Sequence, residues 1–115
     1  MKVNVDEIKW NESAEEGFSY FRKQLSIKAG GKMLGASLYK LLPNKKAFPF
    51  HCHYANEEAI FILSGTGTLR IGKKKIKITE NDYIALPRGS EHAHQLINTS
   101  NEILIYLCIP FTNQF

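Results

Sequence analysis

The chain has no apolar run of membrane-spanning length, and no uninterrupted hydrophobic stretch between Met1 and Trp10, where Asp6 and Glu7 intervene. These absences point away from a transmembrane protein and from a secretory leader, so a cytoplasmic location is expected. Cysteine is scarce. Only Cys52 and Cys108 occur among 115 residues, too few for the disulfide framework of a small secreted domain. Cys52 stands between two histidines, but in an extended segment its thiol would point to the face opposite theirs. A buried, inert thiol is therefore expected there, not a thiolate ligand. The chain also lacks internal repeats, low-complexity segments and sustained helical periodicity.

What is present describes one ordinary globular domain. The length suffices for a single core and is too short for two. Hydrophobic residues make up 43% and charged residues 23%, the proportions of a typical soluble domain. The net charge of +4 comes largely from Lys45-Lys46 and Lys73-Lys74-Lys75. No aromatic residues interleave with these lysines as base-stacking platforms would, and Gly72 precedes the second cluster between two strand-like runs. Both read as solvated turns, so neither a nucleic-acid nor a membrane partner is expected.

From Gly30 onward short strand-like runs alternate with turn signals. Met33 to Leu42 ends at Pro43-Asn44. Phe48 to His53 is a short aromatic run in which Pro49 argues for an edge or a strand start. Glu58 to Leu63 closes on Ser64-Gly65-Thr66-Gly67. Thr68 to Ile71 and Lys75 to Ile78 form a hairpin pattern, with Leu69, Ile71, Ile76 and Ile78 at period two. Tyr83 to Leu86, Ala93 to Ile97 and Ile103 to Ile109 complete the set. Strands this frequent indicate an all-β sandwich or barrel. Glu7 to Phe21 alone could hold a short helix, capped by Asn11 or Ser13.

The four histidines fall into two tight groups, His51/His53 and His92/His94. A strand projects residues two apart from one face, and an imidazole pair so placed suits a borderline transition metal. Glu57-Glu58 follows after a short polar segment and leads directly into the apolar run Ala59 to Leu63. A carboxylate at the mouth of a buried strand ordinarily has a partner. An isolated HxH is more often an exposed pair, and Glu57-Glu58 alone would be surface charge. The second histidine pair, in another strand, tips the reading towards a metal site.

The stretch His51 to Gly65 resembles the first cupin motif, HxHxxxxExxxxxxG. The stretch from Asn81 through Pro87-Arg88-Gly89 to His94-Gln95-Leu96-Ile97-Asn98 resembles the second. Together they cover about half the chain, and the resemblance implies a double-stranded β-helix, the jelly-roll cupin barrel. It implies a single cupin domain over 1–115, with an N-terminal arm and first strand in 1–29, the barrel in 30–109 and a tail in 110–115. It implies His51, His53 and Glu58 as metal ligands, Glu58 in preference to Glu57 by its spacing to Gly65. For the third histidine, His92 has the family's distance from Gly89 and His94 its distance to Asn98. Small cupins with an AHQLxN segment favour His94, with His92 as a neighbouring contact or the alternative ligand. Two motif glycines are replaced: Asn44 or Lys45 stands at one and Asn81 at the other. Asparagine tolerates left-handed backbone, so Asn44 and Asn81 are expected to serve the same turns. Gly65, Gly67 and Gly89 are read as turn residues with φ > 0.

Three imidazoles and one carboxylate around one divalent ion (Mn, Fe, Ni or Zn) would leave two octahedral positions for water or substrate. The expected function is a metal-binding small cupin that binds or acts on a polar small molecule, a sugar or an organic acid. The alternatives are an iron-dependent dioxygenase, a metal-dependent sugar isomerase, and a non-catalytic sensor or binding module. No dedicated catalytic acid or base is legible; Tyr39, Tyr54, Tyr83 and Gln95 are candidates for the cavity. Exposed sheet edges and the family resemblance together imply a homodimer involving part of Phe18 to Leu42.

Overall fold

The computed structural model describes residues 1–48, 57–87 and 93–110. Among these, nine strands form two antiparallel sheets: β1 (Asn11–Glu15), β2 (Phe18–Gln24), β3 (Ser37–Leu41), β4 (Glu58–Ser64), β5 (Thr66–Ile71), β6 (Lys74–Thr79), β7 (Tyr83–Leu86), β8 (His94–Ile97) and β9 (Leu104–Pro110). The larger sheet runs β1-β2-β3-β9-β4-β7 and the smaller β6-β5-β8. From β4 onward the chain crosses repeatedly between the sheets, which is the jelly-roll pattern of an all-β double-stranded β-helix. The runs from Glu58 onward appear as strands within a residue or two of their expected bounds.

The N-terminal expectation is corrected. Glu7 to Phe21 is not helical: it holds the end of a 3₁₀ turn, Val5–Glu7, and then the β1–β2 hairpin, in which Glu15 pairs with Phe18. The deciding features are Gly17, whose φ of +75° suits a tight reversal, and the pairing of β2 with β3 from Phe21↔Lys40 to Gln24↔Ser37. Tertiary pairing outweighs a weak local helical preference. No helix of the described residues is long and apolar enough to cross a membrane.

Period-two alternation fixes what each strand turns inward. Leu41, Ile62, Leu86 and Leu104 are almost wholly buried, and Ile60, Leu69, Ile78 and Leu96 pack with them between the sheets. Each such side chain contributes about 1.5–3 kcal/mol relative to exposure. The corners need unusual backbone. Asn44 and Asn81 have φ of 67° and 75°, so asparagine does take the left-handed turns expected of it. Gly65 has φ of 92°, and a Cβ there would lie 2.5 Å from the Ile103 carbonyl oxygen. Gly67 differs from expectation: it sits within β5 without positive φ, and a Cβ would lie 2.6 Å from the Ile97 carbonyl oxygen. Its role is close strand approach, not a turn. Gly89 lies outside the described residues.

Asn98 clasps the closed end of the barrel. It is 0% exposed. Its Nδ2 donates to the carbonyls of Leu41 (2.9 Å) and Glu102 (2.7 Å), and its Oδ1 accepts from the Ser100 amide and hydroxyl. Its backbone N–H donates to the Lys45 carbonyl and its carbonyl accepts from the Asn44 amide. The turns after β3 and β8 are thus joined at one buried amide. Lys45 and Lys46 belong to this pinned turn, while Gly72 and Lys73 form the β5–β6 turn. Asn98→Ala removes the donor to the Leu41 carbonyl and the acceptor of the Ser100 amide at a buried position, leaving Glu102 only the Ser100 hydroxyl, and should destabilise the fold by at least about 2 kcal/mol. Urea denaturation checks this; a midpoint equal to wild type would refute the clasp.

Candidate functional site

Glu58 opens β4, with Leu86 of β7 and Pro110 of β9 as its cross-strand partners. It shares the inward face with Ile60 and Ile62, and its side chain is only 12% exposed, whereas Glu57 is exposed. His94 opens β8 in the other sheet, opposite Ile71 of β5, and is 3% exposed. The two sheets thereby bring an imidazole and a carboxylate face to face, with His94 Nε2 3.6 Å from Glu58 Oε1. That separation exceeds an ordinary hydrogen bond. It matches the roughly 3–3.6 Å between two donors that each lie about 2.1 Å from a shared ion. A borderline nitrogen donor beside a hard oxygen donor is also a suitable pairing for a transition metal.

His51, His53 and His92 lie outside the described residues, as do Cys52 and Tyr54. Among the described residues no three His, Cys, Asp or Glu side chains form a group that could hold a metal ion. What they contain is the Glu58–His94 half of the expected set. His94 lies four residues before Asn98, so β8 carries the candidate ligand at one end and the clasp at the other, about 13 Å apart at strand rise.

Three acidic groups of the interior feel the charge of the carboxylate. Cys108 is on the inward face of β9, and a hydrogen bond joins its thiol to Glu58. Burial, then the Glu58 charge, pushes that thiol well above its ordinary value. Tyr39 and Tyr106 are paired across β3 and β9, with their rings stacked at 5.3 Å and an interplanar angle of 10°. Burial raises both phenols strongly, and the nearby Glu58 charge adds to it. Tyr20 and Phe48 extend this wall, at 5.3 and 5.8 Å from the Tyr39 ring. All these acids stay neutral, which a buried carboxylate demands of its neighbours.

The other cavity candidates divide. Tyr39 faces the interior. Tyr83 is 66% exposed on β7 and does not. Gln95 is buried, but on the opposite face of β8 from His94: it accepts from Arg70 Nη1 at 2.8 Å and donates to the Phe48 carbonyl at 3.1 Å. It anchors the chain entering the first motif and does not line the cavity. Tyr106, Cys108 and Arg22 escaped the sequence reading. Leu104 to Ile109 is apolar at every position, so its composition does not say which alternate residues face inward, and Arg22 acquires a face only when β2 pairs with β3.

The Cupin domain family (Cupin_2) matches residues 37–110, more than half the chain. The chain belongs to the cupin family. Among solved structures, the cupin resembles a presumptive sugar phosphate isomerase from Acidithiobacillus ferrooxidans, with TM-score 0.88 and 27% identity over 95% of this chain and 73% of the other. A predicted oxalate decarboxylase from Thermotoga maritima has the same fold, with TM-score 0.85 and 23% identity over 97% and 99% of the two chains. The quercetin 2,3-dioxygenase of Bacillus subtilis is 26% identical over 95 residues, 79% of this chain; the cupin spans only 28% of that relative's length.

The raised phenols make a pH prediction. A group held neutral in the folded state stabilises the fold fully below its unfolded value, near 10 for tyrosine. Above that pH the unfolded chain loses protons that the folded chain keeps, so stability falls as pH rises. Denaturation midpoints should decline above about pH 10, and Tyr39→Phe and Tyr106→Phe should each flatten the decline. An unchanged slope in both variants would contradict the burial argument.

Proposed function

We propose that this cupin holds one divalent transition metal ion through His51, His53, Glu58 and His94, and there binds or acts on a polar small molecule, a sugar or an organic acid. The observation that carries this reading is the buried approach of Glu58 to His94 from two different sheets. A charged side chain at the start of an otherwise apolar inward row is costly unless it serves a partner. The metal would be Mn, Fe, Ni or Zn, and when bound it supplies Lewis acidity and coordination positions for oxygen ligands. The chain's own residues do the rest. Cys108 orients the Glu58 carboxylate through its thiol. Tyr39 and Tyr106, held protonated by burial, can donate hydrogen bonds to a bound oxygen but cannot serve as bases near neutral pH. The stacked aromatic wall keeps water from that side.

His94 is preferred over His92 as the fourth ligand because it faces Glu58. Homodimerisation through part of Phe18 to Leu42 and a cytoplasmic location belong to the same reading. The likeness to the Acidithiobacillus ferrooxidans protein supports a sugar substrate, and the Bacillus subtilis relative supports the dioxygenase alternative.

Metal analysis of untagged protein should find about one ion per chain. His51→Ala and His94→Ala should lose most of it, while His92→Ala retains it. Full metal content in His51→Ala or His94→Ala would overturn the ligand set. Iron with substrate-dependent oxygen uptake would select the dioxygenase. Zinc, nickel or manganese without oxygen uptake would favour an isomerase or a binding module.

A further inference from the structure

Arg22 is the one basic side chain of β2 that turns toward the interior. It pairs across the sheet with Tyr39, and its guanidinium lies 5.9 Å from the centroid of the Tyr39 ring. Its Nε donates to Ser37 Oγ at 3.1 Å, and Ser37 is 4% exposed. The head group therefore rises from the level of the Tyr39–Tyr106 pair to that of Ser37 and Cys108. In register this is two residue pairs short of Glu58, the next inward-facing position of β4, because Cys108 faces Ile60 and Pro110 faces Glu58. Its positive charge is felt by Tyr39 and Cys108, the groups that also feel Glu58.

Lys23, the next residue, makes the contrast plain. It turns to the other face, where its Nζ donates to the Val5 carbonyl and lies 4.7 Å from the Trp10 ring centroid. That cation is consumed by packing of the N-terminal segment. Among the described residues Arg22 has one hydrogen bond and no ion pair, which leaves both Nη groups of its fork uncommitted. A half-buried guanidinium beside a wall of Tyr20, Tyr39 and Phe48 sits where water screens it weakly, and a planar fork suits carboxylate and phosphate oxygens.

We propose that Arg22 is a specificity-determining residue that binds the anionic group, carboxylate or phosphate, of a small organic substrate whose other oxygens lie at the Glu58–His94 locus. This rests on the metal-site reading for the far end of the substrate and narrows it from any polar molecule to an anionic one. Neutral sugars would lack the group that Arg22 selects.

Three probes of one skeleton test it: glycerate, glycerol 3-phosphate and glycerol, each titrated calorimetrically into metal-loaded and metal-free protein. Wild type should bind glycerate or glycerol 3-phosphate and prefer it to glycerol, the better anion identifying the source. Arg22→Gln should weaken that anion about ten-fold or more, Arg22→Lys less, with glycerol binding and metal content unchanged in both and both variants folded by circular dichroism. Equal affinity of wild type and Arg22→Gln for both anions, or no anion binding by wild type in either form, would overturn the proposal. If wild type takes up no metal, the metal-site reading fails by itself, and the titration of the metal-free protein still decides the role of Arg22.

Discussion

A carboxylate carried into a barrel interior has to be compensated, and the site end of this protein is organised around that requirement at Glu58. Its side chain is 12% exposed and heads an inward row that continues as Ile60 and Ile62. Desolvating a charge costs several kcal/mol unless hydrogen bonds and opposite charge offset it. The neighbours supplied by β3, β8 and β9 are a phenol, an imidazole, a second phenol and a thiol. Each acid among them is held neutral, so none adds negative charge to the same volume. An imidazole within 4 Å is the neighbour best suited to share a cation with the carboxylate.

This divides the barrel into two ends with different physics. One end is apolar and closed: Leu41, Ile62, Leu69, Ile78, Leu96 and Leu104 interdigitate between the sheets, and Asn98 ties the turns over them. The other end collects Glu58, His94, Cys108, the tyrosines and Arg22. The short β8 links the two, with His94 at its start and Asn98 immediately after its last residue. Close strand approaches, such as Gly67 against the Ile97 carbonyl, keep the small sheet tight. The Gln95 bridge between Arg70 and the Phe48 carbonyl serves the same end from the outer face of β8.

Much of this was legible in the residues themselves. Period-two spacing of Leu69, Ile71, Ile76 and Ile78 announced the β5–β6 hairpin, short apolar runs bounded by turn signals announced β4 and β9, and the two motifs announced the barrel that joins them. Asn44 and Asn81 could be read as left-handed turns because few other residues adopt that backbone. What stayed hidden depended on pairing across the sheet. Gly17 marks a reversal, but nothing else local says that residues 11–24 pair as strands, since that follows from docking β2 on β3. Without that pairing Arg22 has no face, and its likeness to Lys23 conceals that the two point in opposite directions. Gln95 misled for a related reason, because proximity in sequence to a candidate ligand puts a strand residue on the wrong side.

The cupin fold hosts several chemistries, so family membership constrains this chain to a site geometry and not to a reaction. The central claim is that Glu58 and His94 approach one another because they share an ion. Crystals grown with manganese, measured for anomalous scattering at the manganese edge, address it directly. One strong interior peak bonded to both the Glu58 carboxylate and His94 Nε2 is expected. Manganese bound only at the surface, or an interior peak contacting neither side chain, would contradict it.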